Sequence, residues 1–389
     1  MTRRIYMDHA STTPLRPEVL AAMLPFLGEE FGNPSSLHYF GRRPHEALEQ
    51  ARASVASLIN AKAEEVFFTS GATEANNWAI KGVAAAARHR PAHVITSAIE
   101  HYSVLHAVKT LQRQGARVTF LPVDRYGLVS PRSVAEAIDD DTALITLTHA
   151  SNEIGTIEPV AEVAEIARAH KVPLHIDATQ TIGNVPTDVA ALGVDLATLA
   201  GHQFYGPKGT GALFVRKGTR LLPLLEGGLQ ESGRRAGTEN VAGIVGLGRA
   251  AELAAAEVQQ RAERLSVLRD RLREGLEARI PDLAFTGHPT QRLPGHVSLC
   301  IHYVEGESVL LMLDAKGIAA ASGSSCTSRA LKSSHVLEAL GLEPGLANGS
   351  AMFSLGDGNT AEDVDYLLEV MPPIVERLRA MSPLRPGGN

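Results

Sequence analysis

Between Glu65 and Arg216 short apolar runs of strand length alternate with segments of helical length. EEVFFTS is followed by a helix-like stretch from about Thr73 to Arg88. HVITS, RVTFLPV, ALITLTHA, PLHIDA, DLATLA and GALFVR then recur with helical segments among them. Strands that are apolar on both sides, separated by helices, predict a largely parallel sheet covered on both faces. Ligands of such sheets bind beyond the carboxyl ends of the strands. Nearly every distinctive residue of this chain falls there.

The rest of the chain is compatible with one large and one smaller domain. It has 389 residues and 44% hydrophobic content, ample for an extensive core. From Asn240 to Ile280 it reads as long helical structure, with Leu265, Leu268, Leu272 and Leu276 at helical spacing and Pro281 as the stop. The strand HVSLCI and a final helix from about Ala361 follow. A net charge of −6 gives no electrostatic footprint for nucleic acid. No apolar run is long enough to span a bilayer, and MTRRIYMDHASTTP lacks the apolar core of a signal peptide. A cytoplasmic protein is the expectation. With Cys300 and Cys326 alone, a disulfide framework and a cysteine-built metal site are both set aside, and no metal ligand set is assigned.

Taken singly, the strand-end residues have ordinary readings. Ser70-Gly71-Ala72-Thr73-Glu74 joins a strand to a helix, where backbone amides and the helix dipole make an anion site; a threonine-capped turn explains the same letters equally well. Asp177, closing the strand His175-Ile176-Asp177, passes as a helix cap or buried ion-pair partner. His101 passes as a structural histidine. Gly227 to Asn240 is a glycine-rich loop, Cys300 a buried small residue within a strand, and Cys326 a loop cysteine among small polar residues.

Together, and in this order, the segments resemble the cysteine desulfurases, pyridoxal phosphate (PLP) enzymes of the class V aminotransferase superfamily. The matching stretches are Asp8 to Pro14, Phe31-Gly32-Asn33-Pro34-Ser35-Ser36, Ser70 to Glu74, Glu100-His101, Asn152-Glu153-Ile154-Gly155, His175 to Gln180, Asp195 to Gly211, Gly227 to Asn240 and Ser322 to Arg329. The resemblance implies PLP fold type I: a large domain over 16–258 with a mostly parallel seven-stranded sheet flanked by helices, and a smaller α+β domain from 1–15 and 259–389. It implies Ala72, Thr73 and His202 at the cofactor, His101 stacked on its ring, Asn152 at the ring oxygen, and Asp177 and Gln180 as further ring partners. Asn33 is implied near the substrate. Thr238 is implied to meet the phosphate of a neighbouring subunit in a homodimer, and Cys326 to carry sulfur as a persulfide.

Three positions depart from the family pattern. Gln203 stands where the lysine that forms the imine with PLP is expected, and an amide is neither basic nor nucleophilic. Met352 stands where an arginine clamps the substrate carboxylate, and Ala200 where a serine bonds the phosphate. The expectation is a desulfurase-like protein that binds PLP non-covalently and moves sulfur slowly from L-cysteine or a related amino acid to Cys326, for an acceptor protein or iron–sulfur scaffold. The alternatives are a non-catalytic persulfide or Fe–S carrier, and a PLP enzyme with a different substrate.

Overall fold

In the computed structural model, which describes residues 4–87, 91–323 and 334–383, a short strand β1 (Ile5–Tyr6) precedes the apolar runs. These become β2 (Val66–Thr69), β3 (His93–Ser97), β4 (Arg117–Leu121), β5 (Thr142–Thr148), β6 (Leu174–Asp177), β7 (Leu196–Ala200) and β8 (Gly211–Val215). They form one seven-stranded sheet in the order β2-β8-β7-β6-β5-β3-β4. Helical crossovers make β4, β3, β5, β6 and β7 parallel. The helix-poor connection 201–210 reverses the chain, so β8 is antiparallel to both neighbours. Every residue of β7 and β8 is buried, as a sheet covered on both faces requires.

Helices Tyr39–Leu58, Val160–His170 and the start of Val241–Arg279 cover one face. Helices Ala72–Ala86 and Tyr102–Arg113 cover the other. After β4 the chain recrosses β3 to lay down β5, so the order switches between β3 and β5, where a crevice opens above the strand ends. The helix that starts at Pro17 is α-helical to Met23 and continues to Leu27 as a 3-10 turn, because Pro25 has no N–H for the next α-helical bond.

The 39-residue helix Val241–Arg279 links two cores. Its Leu265, Leu268, Leu272 and Leu276 pack into the second one. That core also holds β9 (Leu283–Phe285), β10 (His296–Ile301), β12 (Ser350–Ser354) and the helix Ala361–Met381. β10 pairs antiparallel with β9 and β12, while β1 pairs parallel with β11 (Ile318–Ala319). Cys300 is buried beside Ile99 and Ile154, and burial pushes its thiol up to about 12. It is an inert packing residue. No helix among the described residues is long and apolar enough to cross a membrane.

Two buried polar groups fasten the large sheet. Arg52 grips Glu231 through two bonds of 2.8 Å, and Glu231 also accepts the Phe68 N–H at 2.8 Å. Glu100, just past β3, accepts from Ser97 Oγ at 2.5 Å and from the Thr148 N–H at 2.9 Å. Burial, reinforced by the charge of Asp177, raises its carboxyl to about 8. Replacing Glu231 by alanine removes the buried charge partner of Arg52 and leaves it only the half-exposed Glu49 and the Val66 carbonyl, and is expected to cost about 3 kcal/mol in urea unfolding; wild-type stability in that variant would contradict the assignment.

Glu100 carries a pH signature of definite sign. Its unfolded carboxyl loses its proton near 4.5 while the folded one keeps it to about 8. The stability it contributes is therefore complete below the lower value and lost as pH rises through the upper one. Glu100→Gln stays neutral throughout, so its melting temperature relative to wild type is expected to climb between about pH 5 and about pH 8. A difference that does not change with pH would contradict this.

Candidate active site

Above the strand ends lies a cavity of about 540 Å³, within the roughly 300–1,000 Å³ of small-molecule sites. Its floor is built by loops following β2, β3, β5, β6 and β7. The N-terminal segment Ala10–Thr12 and, from the second core, Ser322, Gly323 and Met352 complete the wall. It gathers Ala72, Thr73, His101, Asn152, Asp177, Gln180, His202, Gln203 and Met352, residues spread over most of the chain.

Asp177 closes β6 with its carboxylate fixed from both sides. Oδ2 accepts from Asn76 Nδ2 at 2.7 Å, and Oδ1 accepts from the Thr179 N–H at 3.1 Å and from the Thr179 hydroxyl. His101 caps the helix Tyr102–Arg113: its Nδ1 accepts from the Ser103 N–H at 3.1 Å and lies 2.8 Å from Ser103 Oγ. A backbone N–H can only donate, so Nδ1 is the acceptor and the neutral ring carries its proton on Nε2. Ser103 Oγ in turn accepts from Asn76 Nδ2 at 2.8 Å.

On the opposite side the helix Ala72–Ala86 starts directly after Gly71, whose φ of +149° only glycine adopts readily. The first-turn amides of Ala72 and Thr73 border the cavity there. β8 passes close beneath: a Cβ on Gly211 would stand 2.8 Å from Gly71 Cα and 2.5 Å from the Leu199 carbonyl. Glu74 steadies the turn by accepting the Ser70 N–H at 2.9 Å and pairing with Arg235 at 2.9 Å. His202 sits nearby with Nδ1 3.2 Å from Thr12 Oγ1. Burial, helped by the charge of Lys208, lowers its pKa and keeps it neutral.

Gln203 is buried and committed to structure. Its amide donates to the Ala10 carbonyl at 3.0 Å and the Ser11 carbonyl at 3.3 Å. Gln180, implied as a ring partner, also donates to the Ala10 carbonyl at 3.0 Å. Met352 is a buried β12 residue whose backbone exchanges hydrogen bonds with Ala321. Glu153, next to Asn152, accepts from Ser334 Oγ, and burial raises its carboxyl to about 7.

Two of the implied residues are not gathered in this cavity. Asn33 is exposed and caps its own turn, accepting the Ser35 N–H at 2.8 Å. Thr238 is exposed on the segment after Gly227. Cys326 lies outside the described residues. Asn76, Ser103 and Thr179 are the polar neighbours that strand-end reading misses. For Asn76 a signal exists, since it is a polar residue on a helix face otherwise formed by buried Ala75, Ala79, Ile80 and Val83.

The residue set fits PLP. A carboxylate with fixed orientation stands for a ring nitrogen, an imidazole for a ring face, and the amides of a helix start for a phosphate.

Residues 5–367 match the family model for class V aminotransferases. The chain is 54% identical to cysteine desulfurase IscS of Methanosarcina thermophila, over 99% of this chain and 95% of that protein. It is 50% identical to cysteine desulfurase IscS of Dictyoglomus turgidum, over 99% of this chain and 98% of the other. A solved NifS-like protein superposes with a TM-score of 0.90 at 37% identity, covering 97% of this chain and all of that one. SspA in complex with cysteine gives a TM-score of 0.78 at 34% identity, over 90% and 99%. Proteins of this family use pyridoxal phosphate. Full-length identity and shared fold together make the chain a member of the class V aminotransferase family, on its cysteine desulfurase branch.

Proposed function

We propose that the protein is a PLP-dependent cysteine desulfurase that moves sulfur from L-cysteine to Cys326 as a persulfide, for delivery to an acceptor protein. The observation that carries this reading is the meeting of Asp177, His101, Asn152 and the Ser70–Thr73 turn in one cavity with Ser322 and Gly323, which lead to Cys326. Asp177 would hold a proton on the ring nitrogen, His101 would cover the ring, and Asn152 and Gln180 would stand by the ring oxygen. Ala72, Thr73 and His202 would serve the phosphate. Bound there, PLP supplies an electron sink for the bonds at the amino acid's α-carbon.

The chain's own residues set the limits of the chemistry. Gln203 can neither bond covalently to the cofactor nor accept a proton. His101, with its hydrogen on Nε2, is the proposed proton shuttle. Met352 offers the substrate carboxylate an apolar surface, so binding of L-cysteine is expected to be weak. Cys326, as a thiolate, would take the sulfur by forming an S–S bond as the substrate C–S bond breaks, the electron pair of that bond staying with the carbon skeleton, which takes up a proton and leaves as alanine; a thiol with that task suits a reducing, cytoplasmic setting.

A homodimer completes the proposal. Leu24, Leu27, Phe31, Leu37 and Phe40 form an exposed apolar stretch, with Leu37 96% exposed. Leu222, Leu225 and Leu229 add a second, close in sequence to Thr238, with Leu229 88% exposed. Apolar surface of this kind supports burial against another copy, with Thr238 reaching the partner's phosphate.

Sulfide release from L-cysteine, measured with PLP and a reductant, is expected over many turnovers and to disappear in Cys326→Ala. Release no faster than from free PLP would overturn the desulfurase reading. Restoring an amine with Gln203→Lys is expected to raise the rate by ~10²-fold to 10⁴-fold; an unchanged rate would show that the lost lysine is not what limits the wild type.

A further inference from the structure

We infer that Asn76 is a positioning residue for both the carboxylate and the histidine of the cofactor site, acting through a single amide nitrogen. The inference rests on the PLP reading above. Nδ2 donates to Asp177 Oδ2 at 2.7 Å and to Ser103 Oγ at 2.8 Å, so both of its hydrogens are used. The amide oxygen, Oδ1, is buried and has no hydrogen-bond partner among the described residues.

That unpaired oxygen is the informative atom. A buried carbonyl without a donor destabilises a fold, whereas an apolar group of the same shape would not. Asn76 is fully buried among apolar helix neighbours, so packing alone favours an apolar residue. Turning the amide over does not help, because the oxygen would then face the Asp177 carboxylate. The side chain is held in the orientation in which its nitrogen serves both partners, at the expense of its oxygen.

The two bonds act on different faces of the site. The first fixes one oxygen of Asp177, the carboxylate proposed to keep the ring nitrogen protonated. The second occupies a lone pair of Ser103 Oγ and leaves that hydroxyl's hydrogen for His101 Nδ1, 2.8 Å away. With the Ser103 N–H also on Nδ1 at 3.1 Å, the His101 proton is confined to Nε2. One residue of the helix Ala72–Ala86 thus orients both the carboxylate proposed for the ring nitrogen and the Ser103 hydroxyl that, together with the Ser103 N–H, faces His101 Nδ1.

The test uses Asn76→Leu, close in shape and unable to donate, with Asn76→Ala as a second variant should the larger side chain prevent folding. Three quantities are read: urea unfolding without cofactor, the PLP dissociation constant by absorbance titration, and the pH midpoint of the bound PLP spectrum. The expected result is unchanged or greater stability in the leucine variant, PLP binding weakened on the order of tenfold, as for one hydrogen bond to a charged group, and a displaced spectral midpoint. If wild type binds PLP while the variant matches its affinity and midpoint, the inference is overturned. Stability falling in step with affinity in the variants, with the midpoint unmoved, would make Asn76 an ordinary packing residue and also overturn it. Failure of wild type itself to bind PLP would instead overturn the reading on which the inference rests.

Discussion

One backbone carbonyl, that of Ala10, ties the molecule together at its site. Both of its lone pairs are used, by the amides of Gln180 and Gln203 at 3.0 Å each. The segment that carries it starts as β1 beside β11 and continues through the His9 and Ala10 N–H groups, which donate to the Ser354 carbonyl and hydroxyl. It ends at Thr13, whose N–H and hydroxyl both donate to the His202 carbonyl at 2.8 and 2.9 Å. The second core is thereby sewn to the floor of the cavity. At position 203 the chain has an amide that fastens this strap, where the family pattern has an amine that reacts.

Charge around the site is organised by burial. Glu100 and Glu158 are raised to about 8 and Glu153 to about 7, chiefly because each is removed from water. Near neutral pH the first two are carboxylic acids, and Glu153 is poised between its two forms. His149, His175 and His296 are lowered to about 4, 4 and 3 by the same cause and are neutral there. Asp177, by contrast, receives three donated hydrogen bonds. The site supplies the Asp177 and Glu74 carboxylates with protein donors in place of water, and surrounds them with groups that burial drives toward neutrality.

Much of the large sheet was legible because strands buried on both faces carry Val, Ile, Leu and Ala along much of their length, as β7 and β8 do, even though β3, β5 and β6 also bury polar residues such as His93, Thr146 and His175. The helix carrying Leu265 to Leu276 was legible by the same logic at helical period. Pairing was not: periodicity reports burial and says nothing of which strand lies alongside, so the antiparallel entry of β8 and the two-residue strands β1 and β11 carry no sequence signal. The site divides similarly. Ala72, Thr73, His101, Asn152 and Asp177 sit at strand ends and came through motifs, and Thr179 bonds Asp177 locally, two residues back, while Asn76 acts through contacts to Asp177 and Ser103 that only the fold creates. Gln203 was readable as the loss of an amine; its bonds to Ala10 and Ser11, nearly two hundred residues away in sequence, were not.

Whether this cavity takes PLP without a covalent bond to the chain is measured by loading the protein with PLP, reducing with borohydride, and comparing its intact mass under denaturing conditions with that of the untreated chain. Gln203 predicts a visible PLP spectrum before reduction and an unchanged mass after it. A phosphopyridoxyl adduct mapped to Lys208, the exposed lysine at the cavity wall, would contradict non-covalent binding and install a different amine in the lost lysine's place. Absence of any bound PLP would contradict the cofactor site itself.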